Sequence, residues 1–138
     1  MTSLPTKHVL PHTLAKSMLA ACEDKARAMG LAMTIAIVDD GGHLIAFSRM
    51  DGVHAGTIEL AIGKARSSVM FKRPTSKFEE SVAAGTIGLL KLPNVLPFAG
   101  GVPLLVRSQL IGAVGVSGAA AVQDGQVASA ALDLLPND

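Results

Sequence analysis

The chain has 138 residues, 49% of them hydrophobic, and its 12 Lys plus Arg nearly balance 11 Asp plus Glu. That length makes one domain, burying roughly 68–70% of the surface its unfolded chain would expose. So even a charge balance excludes nucleic acid as the main partner, and no apolar run approaches the ~20 residues of a membrane-spanning helix.

Residues 1–11 read as a loose arm broken by Pro5 and Pro11. The arm has no charged start followed by an apolar core, so no export signal is expected. The one cysteine, Cys22, excludes an internal disulfide and fits a reducing compartment. Together these make the expected location cytoplasmic, with no membrane partner. With no Trp or Tyr, stacking platforms for single-stranded nucleic acid are scarce.

From Thr13, as N-cap, to Gly30, as the residue after the last turn, the pattern predicts a helix. Leu14, Met18, Cys22 and Met29 line its apolar face, with Ala21 and Ala26 beside them. Met33–Asp39 is short and β-branched, hence a strand, and Asp40-Gly41-Gly42 turns it into a second strand over His43–Arg49. A loop, Met50–Gly56, leads to a helix over Thr57–Phe71 with Ile58, Ala61, Ile62, Ala65 and Val69 on one stripe.

Pro74 ends that helix, and Ser76-Lys-Phe-Glu79 has the capping-box pattern that starts a short one ending near Gly85. Residues 86–99 read as an irregular apolar connection. Val102–Val106 and Leu110–Val116 flank the polar step Arg107-Ser108-Gln109 and predict a second hairpin. Gly112 and Gly115 sit inside its second strand, where glycine implies close backbone approach by a helix, a second subunit or a flat ligand. Asp124 or a neighbour caps a last helix over Gln126–Leu135. This order of elements predicts an α+β fold, an antiparallel sheet of two hairpins with helices covering one face.

Four groups of residues are candidates for chemistry. Arg49-Met50-Asp51-Gly52 follows a strand end. It is either an Arg–Asp pair holding the loop or a clamp in which Arg49 grips a carboxylate. Lys64, Arg66, Lys72, Arg73 and Lys77 form a run without an intervening acid, either a solvated face or an anion site. Lys64 adjoins the apolar stripe and so needs a partner, whether Asp39, Asp51 or an anionic ligand; Asp124, besides capping the last helix, could also reach Arg49 or Lys64.

The histidines, His8, His12, His43 and His54, match no zinc spacing. His54 is the candidate metal ligand, as an axial ligand to haem iron, and with Asp51 the candidate for catalytic proton transfer; an exposed loop histidine is the alternative. Ser117 lies at a strand end in Gly-Val-Ser-Gly-Ala, out of register for a nucleophile elbow.

Three blocks carry a resemblance. They are Ile37-Val38-Asp39 with Gly42-His43-Leu44; Arg49-Met50-Asp51-Gly52 with Lys64-Ala65 downstream; and Gly100-Gly101-Val102-Pro103 leading to Leu110–Ala119 and Gln123-Asp124. Over roughly residues 12–135 the chain resembles the GlcG/HbpS-like family, which includes the C-terminal domain of PduO-type proteins. The resemblance implies a profilin-like α+β fold, a homodimer or larger even oligomer up to an octamer, and haem as a cofactor in several members, some of them haem-degrading or redox-sensing. It supplies no axial ligand.

Three functions follow as expectations. The first is a haem-binding oligomer, with the porphyrin on apolar surface, its propionates near the basic run, and Arg49, His54, Lys64 and Ser117 as cofactor-binding residues. The second is an enzyme or accessory protein of organic-acid or cofactor metabolism, where Arg49 and Lys64 hold a small anionic ligand and Asp51 or His54 moves a proton. The third is a structural oligomer without chemistry. The expected ligand pocket lies where the Arg49–Gly56 loop meets the second helix and the Gly115–Gly118 strand end.

Overall fold

The structure, a computed structural model, describes residues 2–137. Its regular elements are α1 (His12–Ala28), β1 (Thr34–Asp39), β2 (Leu44–Arg49), α2 (Thr57–Phe71), α3 (Ser76–Ala83), β3 (Gly101–Val106), β4 (Gln109–Ser117) and α4 (Ala121–Ser129). Short 3-10 turns cover Ile87–Lys91 and Ala130–Leu134. The strands form one antiparallel sheet in the order β2-β1-β4-β3, so the two hairpins pair through β1 and β4. The α+β class and the antiparallel sheet of two hairpins are as the sequence predicts.

Helices cover both faces rather than one. Ile35, Ile37, Val114 and Val116 face a core completed by Met18, Cys22 and Ala26 of α1 and by Val127 and Ala128 of α4. Val38 and Ala113 face the other way, against Ala65 and Val69 of α2. The reason lies in β1, whose run Thr-Ile-Ala-Ile-Val shows no polar alternation and is buried along both faces. Burial also pushes the Cys22 thiol up to about 12, against a hydrogen bond from the Ala131 backbone, leaving it a small apolar filler.

Helix α2 lies across β4 at a distance that glycine alone allows. A Cβ on Gly115 would stand 2.0 Å from the Ala61 carbonyl oxygen and 2.5 Å from the Ala65 nitrogen. The close approach implied by that glycine is therefore made by a helix of the same chain.

The ends of elements differ from the sequence reading where side-chain caps are concerned. Helix α1 starts at His12 with Pro11 in the capping position, and Thr13 lies inside the first turn. Gly30 does follow the last turn, with φ of 70° and its amide on the Arg27 carbonyl. The predicted capping box of α3 does not form. Thr75 occupies its N-cap, and Glu79 Oε1 instead accepts the Ala99 amide at 3.0 Å. Helix α4 begins at Ala121, not near Gln126, and tightens to 3-10 geometry at Ala130. There Gln123 reaches back to the Ala120 amide at 3.3 Å, while Asp124 is buried in the helix body.

The β1–β2 turn uses one positive φ, at Gly42, and the Asp39 carboxylate accepts the amides of Gly41 and His43. Partial desolvation opposes ionisation of Asp39, but these two amides outweigh it and hold the carboxyl below its ordinary value. In the β3–β4 hairpin, Arg107 and Ser108 both take positive φ, at 50° and 65°, while Gln109 already belongs to the strand.

Gly115→Ala tests the helix–sheet contact. The backbone of α2 must move or the sheet must bend, so unfolding free energy falls by about 3 kcal/mol in a urea titration. An Ala variant as stable as the parent contradicts this packing.

Candidate functional site

The basic run does not act as one unit. Lys64 is 3% exposed, and its Nζ donates to the Asp124 carboxylate at 2.8 Å and to the Val116 carbonyl at 3.0 Å. The partner that the buried lysine requires is thus Asp124, not Asp39 or Asp51. Burial pushes the Asp124 carboxyl up, while the bond from Lys64 and the amides of Ala119 and Gly118 pull it partly back. The pair ties α2, the end of β4 and the start of α4 together.

Arg66 turns outward instead and donates to the Gly42 carbonyl at 3.0 Å. The remaining three cations stand along one wall of a large groove. This groove encloses about 1300 Å³ between the segment carrying Lys72, Arg73 and Lys77, the outer edge of β3, and α4 with the chain that follows it. Pro103, Leu105 and Val122 are among its apolar lining, and Val122 is 68% exposed. Arg73 lies over the Phe78 ring, 5.4 Å from its centroid, which fixes the guanidinium at the rim. Lys77 sits 3.7 Å from Glu80, a solvent-exposed contact that an anionic ligand can displace.

The loop candidates occupy another place. Arg49 and Asp51 are exposed and border a hollow of about 380 Å³ that Glu23, Arg27, Ser48 and Met50 complete. Arg49 also donates to the Val53 carbonyl at 3.3 Å. His54 is exposed; its carbonyl accepts the Thr57 hydroxyl at 2.6 Å. Ser117 is buried at the end of β4. Arg49 and Ser117 lie on one cross-strand row, separated by Thr34, which places their backbones about 9–10 Å apart.

The structure thus groups Arg49 with Asp51, and Lys64 with the strand end that carries Ser117. The hollow and the groove share no lining residue. Among the described residues, no three His, Cys, Asp or Glu are placed to hold a metal ion, and no helix is long and apolar enough to cross a membrane.

Sequence reasoning singled out Lys72, Arg73 and Lys77 but missed their groove. The groove forms between elements distant in the chain, and no periodicity within one element reveals it. The Ser76–Glu79 capping box fails for a related reason, and Thr75, the residue at the N-cap, carries no signal in the sequence. The side chains of Thr75 and Glu79 bond the amides of Gly101 and Ala99 from a distant segment.

An antiparallel four-stranded sheet clad on both faces, with an amphipathic groove along one edge, defines a small α+β domain. The chain belongs to the HbpS-like family, described as haem degrading protein HbpS-like, whose model matches residues 10–133. It is 39% identical to Protein GlcG of Escherichia coli (strain K12) over 114 residues, covering 83% of this chain and 85% of that protein. The crystal structure of Klebsiella pneumoniae protein ORFY is similar with a TM-score of 0.87 at 31% identity, over 97% of this chain and 95% of that one. A crystal structure of a PduOC:heme complex is similar with a TM-score of 0.84 at 26% identity, over 93% and 96% of the two chains.

The buried pair gives a direct test. Lys64→Met and Asp124→Leu each strand a charge in the interior and cost about 3–5 kcal/mol in denaturant titrations. The double variant recovers much of that loss, because no uncompensated charge remains. Strict additivity of the two single effects excludes the coupling.

Proposed function

We propose that this protein binds haem, or a flat tetrapyrrole carrying the same carboxylates, in the groove beside β3. The observation that carries this reading is the meeting of an apolar cleft of about 1300 Å³ with the cationic rim of Lys72, Arg73 and Lys77. A macrocycle buries its faces against Pro103, Leu105 and Val122, and its carboxylates pair with the rim. Membership in a family described as haem-degrading and likeness to a protein solved with haem support the choice of ligand. When bound, haem supplies iron-centred redox chemistry, and this chain supplies the cleft, the counter-charges and the exclusion of water.

The groove lining contains no His, Cys or Met side chain. The fit is therefore to the macrocycle and its carboxylates, and a ligand to iron comes from elsewhere, with His54 of a neighbouring copy as the candidate. A neighbouring copy fits the exposed apolar side chains Ile87, Leu90 and Phe98, which self-association would cover.

A second reading rests on the hollow beside Arg49. Arg49 on its wall suits a small organic acid that displaces Glu23 from Arg27, and Asp51, which lines the hollow as His54 does not, would then move a proton.

Hemin titration separates the two readings. With no Trp or Tyr in the chain, the protein itself hardly absorbs in the near ultraviolet, so absorbance there as well as in the visible reports the bound chromophore. Replacing Lys72, Arg73 and Lys77 together by Ala weakens hemin binding by about 1.5–3 kcal/mol per lost charged contact, and Arg49→Ala leaves it unchanged. Binding that ignores the triple variant but falls with Arg49→Ala moves the ligand to the loop.

A further inference from the structure

Glycines 63 and 125 both lie within α-helices, where glycine is unfavourable by roughly 0.5–1 kcal/mol relative to alanine. Gly63 has a steric reason, since a Cβ there would meet Leu96 at 2.6 Å. Gly125 has none. Its nearest neighbours would be the Ala99 Cβ at 3.8 Å and the Gly100 nitrogen at 3.9 Å, ordinary contact distances. Packing within the chain tolerates a side chain at 125, so its absence leaves open space in the groove that Gly125 lines.

A hydrogen-bond account of the facing segment shows what that space exposes. The Phe98 amide donates to the Leu96 carbonyl, the Ala99 amide to Glu79 and the Gly101 amide to Thr75. The Gly100 carbonyl accepts from the Val116 amide. Only the Gly100 amide in this run has no acceptor among the described residues, although the residue is buried. A buried N–H is rarely left so, because its desolvation costs about as much as a lost hydrogen bond. The groove is lined by three cations, Lys72, Arg73 and Lys77, against one acid, Glu80, which lies 3.7 Å from Lys77, while the Glu79 carboxylate is already engaged by the neighbouring Ala99 amide.

We propose that the Gly100 amide is the inner carboxylate-binding position of the groove, and that Gly125 lacks a side chain to let the carboxylate reach it. This deepens the tetrapyrrole reading but does not require it, because the position suits any ligand with a carboxylate beside an apolar body. One carboxylate of a tetrapyrrole would bond to Gly100 at the inner end while the other meets the basic rim.

The test follows the Gly100 amide in proton–nitrogen correlation spectra of the full chain. Three probes are titrated: zinc protoporphyrin, its dimethyl ester and sodium propionate. The proposal expects a downfield shift of the Gly100 proton with propionate, and with zinc protoporphyrin a shift displaced downfield from that with the diester, whose ring current is the same. Gly125→Leu fills the space and weakens propionate binding about tenfold, the loss expected for one charge-assisted hydrogen bond. A Gly125→Leu spectrum with the parent's dispersion shows that its loss of binding is not unfolding, and Gly125→Ala, which fills far less of the space, raises the melting temperature. If propionate moves Gly100 but the macrocycle does not bind, the carboxylate position stands and the tetrapyrrole reading falls. A Gly100 amide that stays still with propionate, or shifts equally with the diester, overturns the proposal.

Discussion

The contact on which the rest of this structure depends is the buried bond between Lys64 and Asp124. A charged pair in an apolar interior is a weak source of net stability, because desolvation of both ions offsets most of their attraction. Its effect is on arrangement. Nζ of Lys64 also holds the Val116 carbonyl, and the second carboxylate oxygen of Asp124 holds the Ala119 amide at 2.9 Å. Few relative positions of α2, β4 and α4 satisfy all three bonds at once. The pair therefore fixes where α4 stands against the sheet edge, and with it one wall of the groove.

The same pair dictates the backbone at Gly100. A side chain there would stand 2.4 Å from the Val116 carbonyl oxygen and 2.9 Å from Lys64 Nζ. The residue also takes φ of 131°, which side-chain-bearing residues rarely adopt. Gly101 is constrained similarly, its Cβ position lying 2.3 Å from the Lys64 carbonyl oxygen. The double glycine is thus the surface on which a buried lysine and its helix rest.

This explains which parts were legible in the sequence. Strand β1 and helix α2 announce themselves by β-branched density and by a stripe of small apolar residues, signals held within one element. The glycines at 112 and 115 correctly marked close approach, because their cause, a neighbouring backbone, is the commonest reason for glycine inside a strand. Lys64 is legible as a buried charge needing a partner and Asp124 as one acid that could reach it, but the choice of Asp124 over Asp39 and Asp51 is not. That choice depends on how a helix sixty residues away docks, and nothing in local pattern specifies docking. The failed capping box has the same root. Ser76 and Glu79 carry the right chemistry for a capping box, yet the distant Ala99 amide takes the Glu79 oxygen, and Thr75 holds the N-cap position with its hydroxyl on the Gly101 amide.

The geometry of β3 decides what kind of partner its groove can take. An exposed strand edge ordinarily invites another strand, since it offers alternating donors and acceptors. Here the Gly100 carbonyl points inward to Val116, so Gly101 points outward, and Thr75 satisfies both its amide and its carbonyl. The next outward residue before the irregularity at Leu104 is Pro103, which has no N–H to give. The edge therefore lacks the donors that strand addition needs along this stretch. What remains accessible is apolar side-chain surface and the cationic rim. Those features suit a compact, flat, carboxylate-bearing molecule better than an extended peptide, whose own amides and carbonyls would go unpaired against them.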